Sequence, residues 1–126
     1  MSASRVLVVD DELQVRELLT EFLRSQGYEV REAQTAVEAL AEARAWHPNV
    51  VLLDLNMPGA VRGETIVAPL SADAAVIVIT GETDVELARQ TLRDGAFDFV
   101  VKPFALFRVG EIVETAIAYG RGGGAS

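Results

Sequence analysis

Four short apolar runs in this 126-residue chain each end on a residue able to do chemistry. Arg5 to Val9 leads into Asp10 and Asp11, Val50 to Leu53 into Asp54, Ala74 to Ile79 into Thr80, and Phe97 to Val101 into Lys102. Three carboxylates, a hydroxyl and an ammonium brought to one place would bind and transfer a phosphoryl group. The carboxylates repel one another in a partly buried pocket unless a divalent cation neutralises them. There is no cysteine, and His47 is the only histidine. The cation must therefore be held by oxygen, which suits Mg²⁺ or Mn²⁺. A cation and the Lys102 ammonium would offset the equatorial oxygen charge during in-line transfer, and an aspartate oxygen would be the nucleophile. Asp54 stands alone at its run's end, whereas adjacent Asp10 and Asp11 are better arranged to hold metal.

These residues meet only if their runs are neighbouring strands. Leu13, Val15, Leu18, Leu19, Phe22 and Leu23 recur at helical spacing, and Gly27 is placed as a left-handed cap. Tyr28 to Glu32 alternates as a strand. Thr35 and Glu38 are spaced as a capping box opening a second helix that Pro48 ends. A third helix is expected over 63–71 and should be distorted, since it is short and contains Pro69. Thr83 and Glu86 predict a capping box for a fourth helix closed by Gly95, with Val85, Ala88 and Leu92 facing inward. A fifth runs from Ala105 to Tyr119, burying Ile112, Val113, Ala116 and Ile117, despite Gly110 inside it. Strands and helices alternating in this way predict an α/β fold, a flavodoxin-like (βα)5 doubly wound parallel sheet of strand order 2-1-3-4-5. Its ligand site lies at the switch point between strands one and three, where Asp10, Asp11 and Asp54 emerge.

Half the residues are hydrophobic and a quarter charged, as in an ordinary globular domain. The domain is expected over 1–119, with 120–126 a flexible tail or linker remnant. A net charge of −8 without basic clusters argues against direct nucleic-acid contact by this domain. No membrane span or signal-type leader is legible, so the cytoplasm is the expected location. Beside Pro48, His47 is expected to meet carbonyls at a helix end rather than to carry phosphate. Trp46 reads as a helix-end packing residue.

The segments VVDDE, LLDLNMP, ITGETD and FDFVVKPF, in that order and spacing, resemble the signature of response-regulator receiver domains of bacterial two-component systems. The resemblance spans nearly the whole chain. It implies that Asp11 ligates Mg²⁺ directly and Asp10 largely through water, that Asp54 accepts the phosphoryl group, and that the Asn56 backbone carbonyl completes the protein ligands. Thr80 and Lys102 would bind phosphoryl oxygens, and Lys102 and Pro103 would be joined by a cis peptide. Phe99 resembles the aromatic switch residue that turns inward as the Thr80 hydroxyl moves toward phosphate, although FDFVV alternation also describes core packing. The responding face would be the fourth helix, fifth strand and fifth helix. Asn56 and Glu82 flank the site and are expected to orient a hydrolytic water, giving self-dephosphorylation on an intermediate timescale. The implied partners are a sensor histidine kinase or phosphotransfer protein and a downstream effector or output domain, the chain being a monomer or a phosphorylation-dependent dimer.

The sequence departs from the family in one place: Gly63 lies nine residues beyond Asp54, where the family places a glycine at eight. Taken singly, each site residue has a plainer reading, the acidic pair as a helix cap, Asp54 as a turn residue, Thr80 as a cap and Lys102 as a solvated charge. Their joint placement at successive strand ends favours a common site. The same residues are compatible with two further functions. A Mg²⁺-dependent aspartyl-phosphate phosphohydrolase would use the same groups, but Asn56 stands where a second aspartate would be the general acid, and no cap is present to enclose a substrate. An unphosphorylated interaction module on the same scaffold would normally lack some acidic or lysine positions, and none is missing.

Overall fold

A computed structural model describes residues 3–123. Five strands, β1 (Arg5–Val9), β2 (Glu29–Ala33), β3 (Val50–Asp54), β4 (Ala75–Thr80) and β5 (Asp98–Val101), form one sheet in the order β2-β1-β3-β4-β5. Every pairing is parallel. The fold is therefore the expected flavodoxin-like arrangement, with helices α1 (Leu13–Ser25), α2 (Ala36–Trp46), α3 (Val67–Ser71), α4 (Val85–Arg93) and α5 (Leu106–Gly123).

The continuous apolarity of the central strands follows from helices covering both faces of the sheet. Leu7, Val9, Val51, Leu53, Val76 and Val78 point into one core with residues of α2, α3 and α4. Val6, Val8, Val50, Leu52, Ile77 and Ile79 point into the other with residues of α1 and α5. All five residues of β3 are buried, so Asp54 ends the most enclosed strand of the sheet.

Local signals explain most element ends. Gly27 follows α1 with φ +95°, a conformation that a side chain would strain. The Thr35 hydroxyl accepts a hydrogen bond from the Glu38 N–H at 3.1 Å and caps α2. His47 closes that helix through its backbone, in a left-handed conformation with its N–H donating to the Ala43 carbonyl at 2.9 Å. Trp46 is buried, with the Arg31 guanidinium 4.9 Å and the Arg5 guanidinium 5.7 Å from its ring centroid. The third helical segment is broken as expected, a 3-10 turn over Gly63–Ile66 followed by five α-helical residues. Pro69 falls in the first turn of α3, where its missing N–H has no intrahelical acceptor to lose. Gly110 is accounted for by packing, because a Cβ there would lie 3.0 Å from the Phe22 ring of α1.

Four expectations need correction. No Thr83–Glu86 capping box forms: a 3-10 turn over Glu82–Asp84 precedes α4, whose first residue is Val85, and Asp84 makes no side-chain cap. The tighter turn is closed by the Asp84 N–H donating to Gly81 at 3.0 Å. On α4 the buried positions are Ala88 and Thr91, while Leu92 is 39% exposed, since the helix begins later and its inward face is rotated. Leu13 and Leu18 share the apolar spacing of α1 but are exposed, because its buried stripe carries Arg16, Leu19, Thr20 and Leu23. Finally, α5 ends at Gly123 rather than Tyr119, and residues 124–126 lie outside those described.

Candidate functional site

The parallel register delivers the chemistry to one edge. Asp54 pairs with Ile79 and Thr80 with Val101 at the C-terminal ends of their strands, and Asp10 directly follows β1. Candidate ligand oxygens of Asp10, Asp11, Glu12 and Asp54 all lie within 4.8 Å of one another. Asp10 and Asp54 are almost wholly buried, whereas Asp11 and Glu12 open to solvent. Glu12 was not among the residues expected here, although its position directly after the acidic pair was the available signal.

Hydrogen bonds hold the buried carboxylates. Asp54 Oδ1 accepts from the Asn56 N–H at 2.9 Å, and Asp54 Oδ2 accepts from Lys102 Nζ at 3.0 Å. Lys102 Nζ also stands 4.0 Å from both Asp10 Oδ2 and Glu12 Oε1. Asp10 Oδ1 accepts from the Glu12 N–H at 2.9 Å, while the buried Asp10 Oδ2 has no hydrogen-bond donor. Burial pushes the Asp10 carboxyl up to about 7; the Asp54 carboxylate adds to this by its charge and by accepting from Asp10 once that group is protonated, against the Glu12 N–H and Lys102. Burial works against the Lys102 ammonium, but its hydrogen bond and attraction to Asp54, with Asp10 and Glu12, outweigh that and hold it above the ordinary lysine value.

This arrangement fits a hard divalent cation. A buried carboxylate oxygen without a donor beside a second buried carboxylate is what a cation would satisfy, and the donor set is oxygen throughout. Lys102 supplies a single positive charge against four carboxylates, which leaves the cluster short of compensation.

The remaining expected residues are placed differently. The Thr80 hydroxyl is buried and faces the following loop, donating at 3.4 Å to the Gly81 and Asp84 carbonyls. The exposed Asn56 side chain bridges to that loop, its amide donating to Asp84 Oδ2 at 2.8 Å and accepting from the Gly81 N–H at 3.2 Å. Glu82 is exposed and lines a shallow groove with Leu18, Lys102 and Phe104 beside the site. Phe99 is half-buried and packs against the core shared with α4. The Lys102–Pro103 peptide is cis. Gly63 lies against the acceptor strand, where a Cβ would come within 3.2 Å of the Asp54 carbonyl and 3.3 Å of Leu55 Cα. The extra residue before Gly63 therefore still brings a glycine to a position where a side chain would crowd the acceptor strand's backbone.

The family model "Response regulator receiver domain" matches residues 6–114. The regulatory protein AtoC of Escherichia coli is 37% identical over 116 residues, covering 90% of this chain but 25% of its own length. The DNA-binding response regulator MtrA of Mycobacterium tuberculosis is 37% identical over 102 residues, 79% of this chain and 44% of MtrA. This chain thus spans a quarter to under a half of these relatives. The crystal structure of the receiver domain of NtrX from Brucella abortus superposes with a TM-score of 0.84 at 33% identity, covering 90% of this chain and 98% of that one. Among the described residues no helix is long and apolar enough to cross a membrane. The match over most of the length, joined to a sheet edge of this composition, makes the chain a member of the response-regulator receiver domains of bacterial two-component systems.

Proposed function

We propose that this domain is a Mg²⁺-dependent phosphorylation switch in which Asp54 takes a phosphoryl group from a phosphohistidine of a sensor kinase or phosphotransfer protein. An Asp54 carboxylate oxygen forms the new O–P bond as the donor's N–P bond breaks, and the leaving imidazole keeps the electron pair and takes up a proton. Asp10, Asp11 and the Asn56 backbone carbonyl would hold Mg²⁺ or Mn²⁺ together with Asp54. When bound, the cation would neutralise carboxylate and phosphoryl charge. Lys102 screens the nucleophile and then the transferred oxygens. The observation that carries this reading is the buried Asp54 Oδ2 held 3.0 Å from Lys102 Nζ, beside the Asp10 oxygen that lacks a donor.

Thr80 would report the event. Its hydroxyl faces the loop before α4; turning to a phosphoryl oxygen would release that loop and free space toward which Phe99 can move. The face of α4, β5 and α5 would then change its affinity for an effector or output domain, or for a second copy of the chain. This domain would work in the cytoplasm and make no direct contact with nucleic acid. Glu82 and Asn56 would tune self-dephosphorylation, Asn56 after its amide lets go of Gly81 and Asp84.

Beryllofluoride with Mg²⁺ tests the switch. Amide resonances of the loop before α4, of β5 and of α5 should shift in the wild type and stay unmoved in Asp54→Asn. Shifts confined to the acidic cluster would contradict the switch, and sustained turnover of a generic phosphate ester would favour a phosphohydrolase.

A further inference from the structure

Arg16 belongs to the first turns of α1 yet is only 6% exposed, on the face turned to the sheet. A guanidinium so buried has to be paired, because desolvation without compensation is strongly unfavourable. Both of its partners lie outside its helix. Arg16 Nε donates to Glu32 Oε1 on β2 at 3.2 Å, and Arg16 Nη1 donates to the Asp10 backbone carbonyl at 2.9 Å.

The second bond falls on a sensitive peptide. β1 ends at Val9, so the Asp10 carbonyl lies beyond the strand ladder. The Asp10 N–H donates to the Ala33 carbonyl at 3.1 Å, which holds the peptide before Asp10. Arg16 holds the peptide after it, the unit that joins Asp10 to Asp11 and whose plane sets the direction in which Asp11 leaves. With Asp10 Oδ1 engaged by the Glu12 N–H, Oδ2 is the one polar atom of Asp10 left for a ligand.

We propose that Arg16 is a positioning residue of the cation site, clamping the Asp10–Asp11 peptide so that both carboxylates are presented together, with Glu32 orienting the guanidinium. The proposal rests on the reading of the acidic cluster as a divalent-cation site. Groups that orient ligands from behind typically change metal affinity tenfold to a hundredfold when removed.

Mn²⁺ binding, followed by loss of the free-ion EPR signal, tests this without phosphorylation. Arg16→Met should weaken binding by roughly tenfold or more. Arg16→Lys, which keeps one donor, should recover part of the loss, and Glu32→Gln should weaken binding by a smaller factor. Leu19→Ala, buried on the same helix but away from the carboxylates, should lower the melting temperature and leave Mn²⁺ affinity unchanged. If Arg16→Met does not fold, Arg16→Lys and Glu32→Gln decide the matter. Affinities equal to wild type in the Arg16 and Glu32 variants, or an equal loss in Leu19→Ala, would overturn the proposal. A wild-type protein that bound no Mn²⁺ would instead remove the cation reading beneath it.

Discussion

Asp10 offers a quantitative test of the site's electrostatics. Replacing it with Asn keeps the shape and the acceptor for the Glu12 N–H, removes one buried negative charge, and places an amide beside Asp54. Raising the Asp10 carboxyl from 3.8 to about 7 means that folding in the ionised form carries a penalty on the order of 4 kcal/mol, at about 1.4 kcal/mol per tenfold change in proton affinity. The sign follows from proton counting. Between those two values the folded state binds more protons than the unfolded state, so metal-free stability falls as pH rises through the window. Asp10→Asn lacks this dependence. In EDTA its advantage should grow from near zero at about pH 4 to a few kcal/mol at about pH 8, a rise in melting temperature of roughly 10 °C for a domain of this size. Saturating Mg²⁺ should narrow the gap, by about 2.7 kcal/mol at a hundred times its dissociation constant, because the cation binds the ionised wild-type cluster better than the variant. Thermal or urea unfolding across pH, with and without EDTA, supplies the numbers. A gap that does not change with pH, or a variant less stable than wild type at about pH 8 in EDTA, would refute the reasoning.

Further outcomes follow from other contacts. Gly110→Ala should destabilise by up to about 2 kcal/mol in thermal unfolding, because an overpacking cost of about 1–3 kcal/mol from the Phe22 ring 3.0 Å from the new Cβ is offset in part by a gain in helix propensity of about 1 kcal/mol. Leu52→Ala, in the fully buried β3, should cost about 2–5 kcal/mol by the same measurement. The Lys102 ammonium is held above the ordinary value of 10.5, so its stabilising contribution is complete below that value and is lost only as pH rises through the higher folded one. A ¹⁵N NMR titration should accordingly show Lys102 Nζ still charged at about pH 10 and titrating earlier in Asp54→Asn. Asn56→Ala and Glu82→Ala should alter the lifetime of the aspartyl phosphate, and an unchanged lifetime in both would remove the tuning role.

Much of this was legible because the informative residues are tied to strands. A buried parallel strand reads as an apolar run, and a crevice at the ends of such runs is where the next polar residue falls. The positions of Asp10, Asp54, Thr80 and Lys102 at the strand ends therefore follow from the amino-acid sequence. Residues whose partners are distant in sequence were not legible. Arg16 stands at a buried position of a helix whose spacing pointed equally to Leu13 and Leu18, and nothing local distinguishes a guanidinium that reaches Asp10 and Glu32 from one in solvent. The start of α4 misled for a related reason. Thr83 and Glu86 have the spacing of a capping box, but the Asn56 side chain and the Gly81 carbonyl hold Asp84 in a tighter turn. Gly63 shows the reverse case, in which an altered spacing left intact a close approach to the Asp54 carbonyl.

The most direct test of the central claim is intact mass after incubation with acetyl phosphate or phosphoramidate, with and without Mg²⁺, on wild type and Asp54→Asn. The account predicts a gain of one phosphoryl group in the wild type that requires Mg²⁺, is released by hydroxylamine and is absent from the variant. A wild-type protein that binds Mg²⁺ yet gains no adduct, or an adduct that persists in Asp54→Asn, would contradict it.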